Sequence, residues 1–322
     1  MFSFFKSKGK IQNAYTVAFY NLENLFDVED DPKTLDDDFT PKGKKHWNKK
    51  RYKNKLRKLG NVIGQLGTEK SMHSPAIVGV VEVENEKVLI DLVNSKNLVH
   101  KNYGYVHYDS PDERGIDVAL LYQKDLFELI HSETFPLYLN GKNGERDYTR
   151  DVLLVKGKLN GELIHVLVNH WPSRRTGQDS TESKRLKAAE LVNSIANNIR
   201  NTTDNAKIII MGDFNDDPHS NSIKEISKND FYNPMERLLD TGNGSLNHKF
   251  KWHLFDQILF TQNFFSNKEG GHFFKYAEVF DKHFLKEWNG KYKGNPFRTY
   301  VGKRYLGGFS DHFPVYVYLK KN

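Results

Sequence analysis

Apolar positions along the chain gather into short runs that end on polar, chemically capable residues. TVAFYNLEN (16–24) stops at Asn21 and Glu23, AIVGVVEVEN (76–85) at Glu82, Glu84 and Asn85, and LIHVLVNHW (163–171) at Asn169 and His170. KIIIMGDFNDDP (207–218) delivers Asp213, Asn215, Asp216 and Asp217 after its apolar stretch, and GIDVALLY (115–122) carries Asp117 at its start instead. Runs of this length, bounded by turn residues, predict strands buried on both faces or in a sandwich core. Two stretches keep helical spacing. Tyr52, Leu56, Leu59, Ile63 and Leu66 predict an amphipathic helix within 49–67 with a strongly basic outer face. Leu186, Ala189, Val192, Ile195, Ala196 and Ile199 predict another within 180–200, with Asp179 and Glu182 spaced as a capping box at its start. Together with the antiparallel-looking FPVYVYL (313–319), these elements predict a mixed α/β domain with no internal linker. The expected organisation is an N-terminal extension, 1–15, followed by a single domain, 16–322.

Asp and Asn begin turns routinely, and at any single tip that accounts for them. Four tips of the same kind are harder to explain so, because turn-making does not call for Glu82 or His170. Strand ends are where a rigid sheet positions functional side chains, and several such tips could form one rim.

Composition narrows the chemistry. The 322 residues contain no cysteine, which excludes disulfides, thiolate metal sites and a cysteine nucleophile, so any metal must be held by oxygen or imidazole. A net charge of +7 suits an anionic partner, whether nucleic acid, phospholipid headgroups or a phosphorylated small molecule, and equally suits a lysine-rich solvated surface. No stretch approaches the ~20 apolar residues of a membrane span. The start, MFSFFKSKGK, is interrupted by charge and too short for an export signal, so a cytoplasmic, monomeric protein is expected.

In their order, YNLEN, VVEVEN, RGIDVALLY, VNHW, GDFND, FDQILF and GGFSDHFPV resemble the endonuclease/exonuclease/phosphatase family over residues 16 to 319. The resemblance implies a four-layered α/β sandwich, two mixed β-sheets packed face to face with flanking helices, and an active site where the strand tips converge. It also implies hydrolysis of phosphate esters with Mg²⁺ or Mn²⁺. Carried over motif by motif, Glu82 is implied as the main metal ligand, with Asn21 beside it and Asp311 as a further metal-site carboxylate. Glu23 stands where the family often has Asp or Asn. Asp213 is implied to orient the attacking water, and Asn215 to bind a phosphoryl oxygen. His312 is implied as general base or phosphate contact, with Asp256 orienting it, and His170 as the histidine that bonds the phosphate or helps the leaving group. Two positions depart from the pattern. Val81 replaces the Gln that usually precedes the metal-binding Glu, and Asn169-His170-Trp171 replaces Thr-His-Leu, with Arg174 and Arg175 close behind as a candidate specificity element.

The chemistry suits these residue types. An anionic phosphodiester repels hydroxide and has a poor leaving group, so positive charge is needed at the phosphoryl and leaving oxygens. Mg²⁺ takes one or two carboxylates plus water and substrate oxygens, which Glu82, Asp311 and Asn21 match better than they match zinc. Beyond the motifs, 272–309 interleaves aromatic and basic residues, as a single strand or a flipped nucleotide would require and as ordinary loop core also does. Arg298 and Arg304, shortly before the SDH, are its substrate-binding candidates. Asp216, Asp217 and Glu84 are expected to support the site or form turns. The expected function is a metal-dependent phosphodiesterase hydrolysing nucleic acid. The alternative is a phosphatase or phosphodiesterase for a small or lipid-derived phosphate such as an inositol phosphate or sphingomyelin.

Overall fold

Every apolar run identified above is a strand in the structure, a computed structural model that describes residues 10–11, 13–141, 144–174 and 177–322, the side chains of 178–180 excepted. The strands of the two large sheets are, in chain order, β1 (Ala14–Leu25), β2 (Ile77–Val83), β3 (Tyr103–His107), β4 (Asp117–Gln123), β5 (Phe127–Phe135) and β6 (Val152–Leu159). They continue with β7 (Glu162–His170), β8 (Ile208–Asp213), β9 (Phe231–Tyr232), β10 (Asp256–Thr261), β11 (His272–Val279) and β12 (Val315–Lys321). The first sheet runs β11-β12-β1-β2-β4-β3 and the second β9-β10-β8-β7-β6-β5.

Each sheet has one parallel pair at its centre, β1 with β2 and β7 with β8, and every other neighbour is antiparallel. A parallel pair needs a long return crossover, and α1 (Lys49–Gln65) and α3 (Gln178–Thr202) lie in the two that are required. The polar tips therefore fall at the carboxyl ends of paired parallel strands. The antiparallel neighbours β10 and β12 begin at that same end, which brings Asp256 into register with Asp213 and places 310–312 beside β1.

The inner faces of the sheets share one core, to which α1 and α2 (Glu86–Val93) also contribute, while α3 and α4 (Asn221–Ser227) cover the second sheet from outside. The sheets approach closely at Gly79, where a Cβ would stand 2.5 Å from Met211 Sδ and 3.1 Å from Phe19. The predicted sandwich of two mixed sheets with flanking helices is the fold observed.

Four details differ from the sequence reading. β1 begins at Ala14, pairing with Lys320, so Ala14 and the buried Tyr15 belong to the sheet rather than to an extension. The basic face of α1 is not wholly outside, because Lys55 shares the inward stripe with Tyr52 and Leu59 and is buried. Leu186 is only half-buried on α3 and its neighbour Arg185 takes the fully buried place, drawn in by Asp216 at 2.7 Å. α3 starts at Gln178 with Gly177 ahead of it, so Asp179 lies inside the helix rather than at its cap. No helix among the described residues is long and apolar enough to cross a membrane.

Candidate active site

Backbone irregularities turn the site residues out of their strands. At Glu82 the register of β2 slips against both neighbours and φ is 61°, so its carboxylate leaves the alternating pattern and emerges at the tip. β1 slips over the facing stretch, with φ of 51° at Glu23 and 54° at Asn24, and Asn215 beyond β8 has φ of 50°. Non-glycine residues in this left-handed region cost about 1–3 kcal/mol each and persist only where the surroundings hold them. Here the Asn24 N–H donates to Glu82 Oε2 at 2.8 Å and the Glu23 N–H to Asn21 Oδ1 at 2.9 Å. The Asn215 N–H donates to Asp213 Oδ1 at 2.9 Å, and its side-chain amide to the Trp171 carbonyl at 2.9 Å.

One oxygen, Asp213 Oδ2, is the hub of the tips. It accepts from Asn21 Nδ2 at 3.0 Å, and it lies 3.9 Å from His170 Nε2 and 4.0 Å from His312 Nε2. Glu82 Oε1 completes the group, 3.4 Å from Asn21 Nδ2 and 3.9 Å from His170 Nε2. His312 Nδ1 bonds Asp256 Oδ2 at 2.6 Å, which fixes the ring so that Nε2 faces Asp213. The segment carrying His312 is tied to β1 by Ser310, whose hydroxyl donates to the Asn21 carbonyl at 2.7 Å.

Burial sets the electrostatics of this row. Loss of solvent pushes the Asp213 carboxyl up to about 6, reinforced by Asp256 and opposed by His312, the Asn215 N–H and the Asn21 amide. Burial alone would lower His312, but Asp256, Asp213 and Asp311 together hold it well above the usual histidine range. An imidazolium between carboxylates is the result.

Asp311 and Glu23 belong to a second cluster. Arg298 reaches Asp311 Oδ2 at 2.6 Å and Glu23 Oε1 at 3.4 Å, while the Thr299 N–H donates to Glu23 Oε2 at 2.6 Å. The buried Lys55 stands 3.7 Å from Glu23 and donates to Thr299 Oγ1 and the Phe309 carbonyl at 2.6 and 2.7 Å. Desolvation works against the Asp311 carboxylate, yet Arg298, His312 and Lys55 keep it below its ordinary value. Burial, with Asp311 nearby, instead raises Glu23.

On the other side, Arg174 is aimed by the residues that follow β8. Its Nη2 is 2.5 Å from Asp216 Oδ1 and its Nε 2.7 Å from the Asn215 carbonyl, with the guanidinium 4.6 Å over the Phe255 ring. Asp216 also holds Arg185 and accepts from Ser222 at 2.6 Å, while Asp217 pairs with His253 at 2.7 Å. These two aspartates are supports for cations rather than turn formers. Arg304 is exposed on a small hairpin, Tyr300–Val301 with Arg304–Tyr305, and no hydrogen bond or ion pair joins it to the tips among the described residues. Arg175 lies outside the described residues.

The tips open into a cleft of about 820 Å³ lined by Glu82, His170, Asp213, Asn215 and His312, with Arg174 on its wall. Sequence reasoning missed part of the lining: Arg114, and a hairpin of Leu246–His248 paired with Lys251–His253. The basic run HKFKWH (248–253), separated from FDQ only by Leu254, was the available signal. Also unforeseen is the buried Arg150, which bonds the His170 and Trp171 carbonyls at 3.2 and 2.8 Å and Asp112 at 2.9 Å.

A two-sheet sandwich with acids, amides and imidazoles converging at one end defines the deoxyribonuclease I-like class of α/β fold. The chain belongs to the endonuclease/exonuclease/phosphatase family, whose sequence model matches residues 16–321. Members of that family are hydrolases of phosphoester bonds and typically depend on divalent metal. Among solved structures it is similar to an endonuclease/exonuclease/phosphatase family protein from Bacteroides thetaiotaomicron, at 20% identity over 96% of this chain and 95% of that one, TM-score 0.59. It is also similar to the mannosyl-6-phosphatase of the same organism, at 20% identity over 95% and 99%, TM-score 0.58. D. rerio TDP2 complexed with a single-strand DNA product shares the fold at 12% identity over 96% and 100%, TM-score 0.57. No curated protein matches the chain in sequence.

Two carboxylates suit such an ion: Glu82 at the tips and Asp311 in the neighbouring cluster offer oxygen alone, the donor type a hard divalent cation takes, whereas Asn21 turns its Nδ2 to Glu82 and Asp213 while its Oδ1 accepts from the Glu23 N–H. Asp213, Asp256 and His312 also lie close enough together to share an ion, but the His312–Asp256 hydrogen bond commits that pair to each other.

Proposed function

We propose that this protein is a divalent-metal-dependent phosphodiesterase acting on nucleic acid. The observation that carries the reading is the convergence on Asp213 Oδ2 of Asn21, His170 and His312, drawn from three different strand tips, beside Glu82 and under a basic cleft wall. Glu82 and Asp311 would hold Mg²⁺ or Mn²⁺, which supplies positive charge to the phosphoryl and leaving oxygens. Glu23, whose oxygens already accept from Thr299 and face Arg298 and Lys55, steadies the Asp311 side of that site.

The attacking water belongs between Asp213 and His312. With Oδ2 and Nε2 4.0 Å apart, a water about 2.8 Å from each fits in hydrogen-bonding geometry. Asp213 orients it by accepting one of its hydrogens. Asp213, whose carboxyl burial raises to about 6, is the group of the row that can take up the proton released on attack, while His312, held by Asp256, bonds the same water through Nε2. Asn215 and His170 face the phosphoryl oxygens, and Arg174, held by Asp216, meets the next phosphate along the chain. The structural similarity to a mannosyl-6-phosphatase supports a second reading, hydrolysis of a small phosphorylated molecule.

The deciding experiment is a panel with Mg²⁺ and with EDTA: nicking of a plasmid, an oligonucleotide, an inositol polyphosphate, sphingomyelin, a sugar phosphate and bis(p-nitrophenyl) phosphate. The expected result is EDTA-sensitive cleavage of nucleic acid and of the generic diester. Robust turnover of a small phosphate with no nucleic acid cleaved would give the second reading the site. His312→Ala should lower the rate on the generic diester by about 10²–10⁴-fold. An unchanged rate would mean that His312 does not hold the attacking water.

A further inference from the structure

Two residues at the tip of the cleft-lining hairpin adopt an unusual conformation. Leu246–His248 pairs with Lys251–His253, and His248 stands opposite Lys251, so Lys249 and Phe250 form a two-residue turn. Their φ angles are 49° and 67°. Such turns favour Asn-Gly, and a bulky aromatic in left-handed conformation is strained. The fold holds a phenylalanine there nonetheless, and leaves its ring 61% exposed.

That ring has company. Tyr292, 51% exposed, lies parallel to it, with centroids 6.0 Å apart and an interplanar angle of 7°. The Lys291 ammonium is 5.2 Å from the Phe250 ring and 5.7 Å from that of Tyr292, and Trp288, 70% exposed, lies four residues earlier. The surface is contiguous with the active-site cleft, because His248, Lys249 and Lys251 on either side of Phe250 line it.

We infer that Phe250 and Tyr292, with Lys291, form a stacking platform for unpaired bases of a single-stranded polynucleotide whose scissile phosphate lies at the Asp213–His312 site; this rests on the phosphodiesterase reading above. Phosphates following Arg174, Lys249 and Lys251 out of the cleft bring the attached bases to the exposed rings. Every base has a π face, so stacking tolerates any sequence, and the cation over the rings adds attraction for the polyanion. A duplex keeps its bases stacked on each other and offers the platform nothing but its ends. The strained turn is accounted for by the same role, since it lifts the ring clear of the core.

The test is fluorescence anisotropy in EDTA, where binding is read without turnover, using a labelled twelve-residue oligothymidylate and a blunt duplex of equal length. Phe250→Gly removes the ring and relieves the positive φ, so its melting temperature should be unchanged or higher, which separates ring loss from collapse of the hairpin. Phe250→Gly and Tyr292→Ala should each weaken single-strand binding by about tenfold, and the double variant by more, with duplex binding and hydrolysis of bis(p-nitrophenyl) phosphate unchanged. Single-strand affinity within twofold of wild type in the double variant, or an equal loss for the duplex, would overturn the platform. If the wild type hydrolyses the small diester but does not bind the oligonucleotide, the platform is refuted and the phosphodiesterase reading stands. Ring-dependent oligonucleotide binding without hydrolysis of any diester would refute the reading and leave the platform as a binding site.

Discussion

At the scale of single residues, the charges that matter are those whose partners arrive from elsewhere in the chain. Asp216 is the clearest case. In the run GDFNDDP it stands next to Asp217 and has the composition of a turn, and nothing local says otherwise. The structure buries it between Arg174, Arg185 and Ser222, the last two from α3 and α4. By contrast Glu82, Asp213, Asn215 and His312 were legible because their motifs are contiguous in sequence, whereas Lys55 was hidden on a stripe that spacing alone would assign to apolar packing. A substitution at Asp216 should therefore show both functions of its carboxylate. Asp216→Asn keeps the shape and loses the charge facing Arg185, which is fully buried. Breaking one side of a buried ion pair costs up to about 3–5 kcal/mol, and the retained amide oxygen should hold the loss to roughly 2 kcal/mol. Thermal melting would show the loss. Because Arg174 is also released, KM for a polynucleotide should rise about tenfold with little change in kcat, for one charge-assisted contact. An unaltered KM would mean that Arg174 does not meet substrate.

At the scale of elements, the pattern of apolar runs predicted β1, β2, β4, β7, β8 and β12, and the pairing rules of parallel strands account for how those tips come together. Two parallel pairs put four tips at one end, and the antiparallel partners begin there. What spacing could not show is the bulge at Glu82 or the slip in β1, since a register shift depends on the neighbouring strand. The opposite end of the sandwich is closed by a different device. Glu162 at the start of β7 accepts from the backbone N–H and Nδ1 of His272 on β11 at 2.7 and 2.8 Å, and lies 2.9 Å from Lys207 just before β8. This clasp joins the two sheets far from the tips that line the cleft. Partial burial alone would raise the Glu162 carboxyl, but the His272 and Lys207 contacts outweigh it and hold the group at about 2. A depressed carboxylate contributes stability in full above its unfolded value, and loses it as pH falls from about 4.5 toward 2. Glu162→Gln should accordingly destabilise the protein by about 1–3 kcal/mol at pH 7. In urea titrations the gap between variant and wild type should narrow as pH is lowered through that window. A gap that stays constant from pH 7 to 3 would show that the charge of Glu162 contributes nothing.

At the scale of the whole molecule, the net charge of +7 was the least informative number in the sequence, because it says nothing of where the charge lies. The fold gives it a direction. Acids fill the floor of the cleft, where Glu82 and Asp213 lie, while Arg114, Arg174, Lys249 and Lys251 stand along its walls. A polyanion meets the walls over several phosphates, whereas a small diester engages the floor alone, so ionic strength should separate the two. If three wall cations neutralise phosphates of a single strand, the affinity should fall with a log–log salt slope of about −2. Between 50 and 200 mM salt, KM for an oligonucleotide should then rise roughly 15- to 20-fold, while KM for bis(p-nitrophenyl) phosphate changes by less than about twofold. Lys249→Gln and Lys251→Gln, placed together, should reduce the slope by about 1 to 1.5 and leave the small diester unaffected. Parallel salt dependence of the two substrates would mean that the walls carry no phosphate, and the substrate would have to be sought among molecules small enough to lie wholly on the floor.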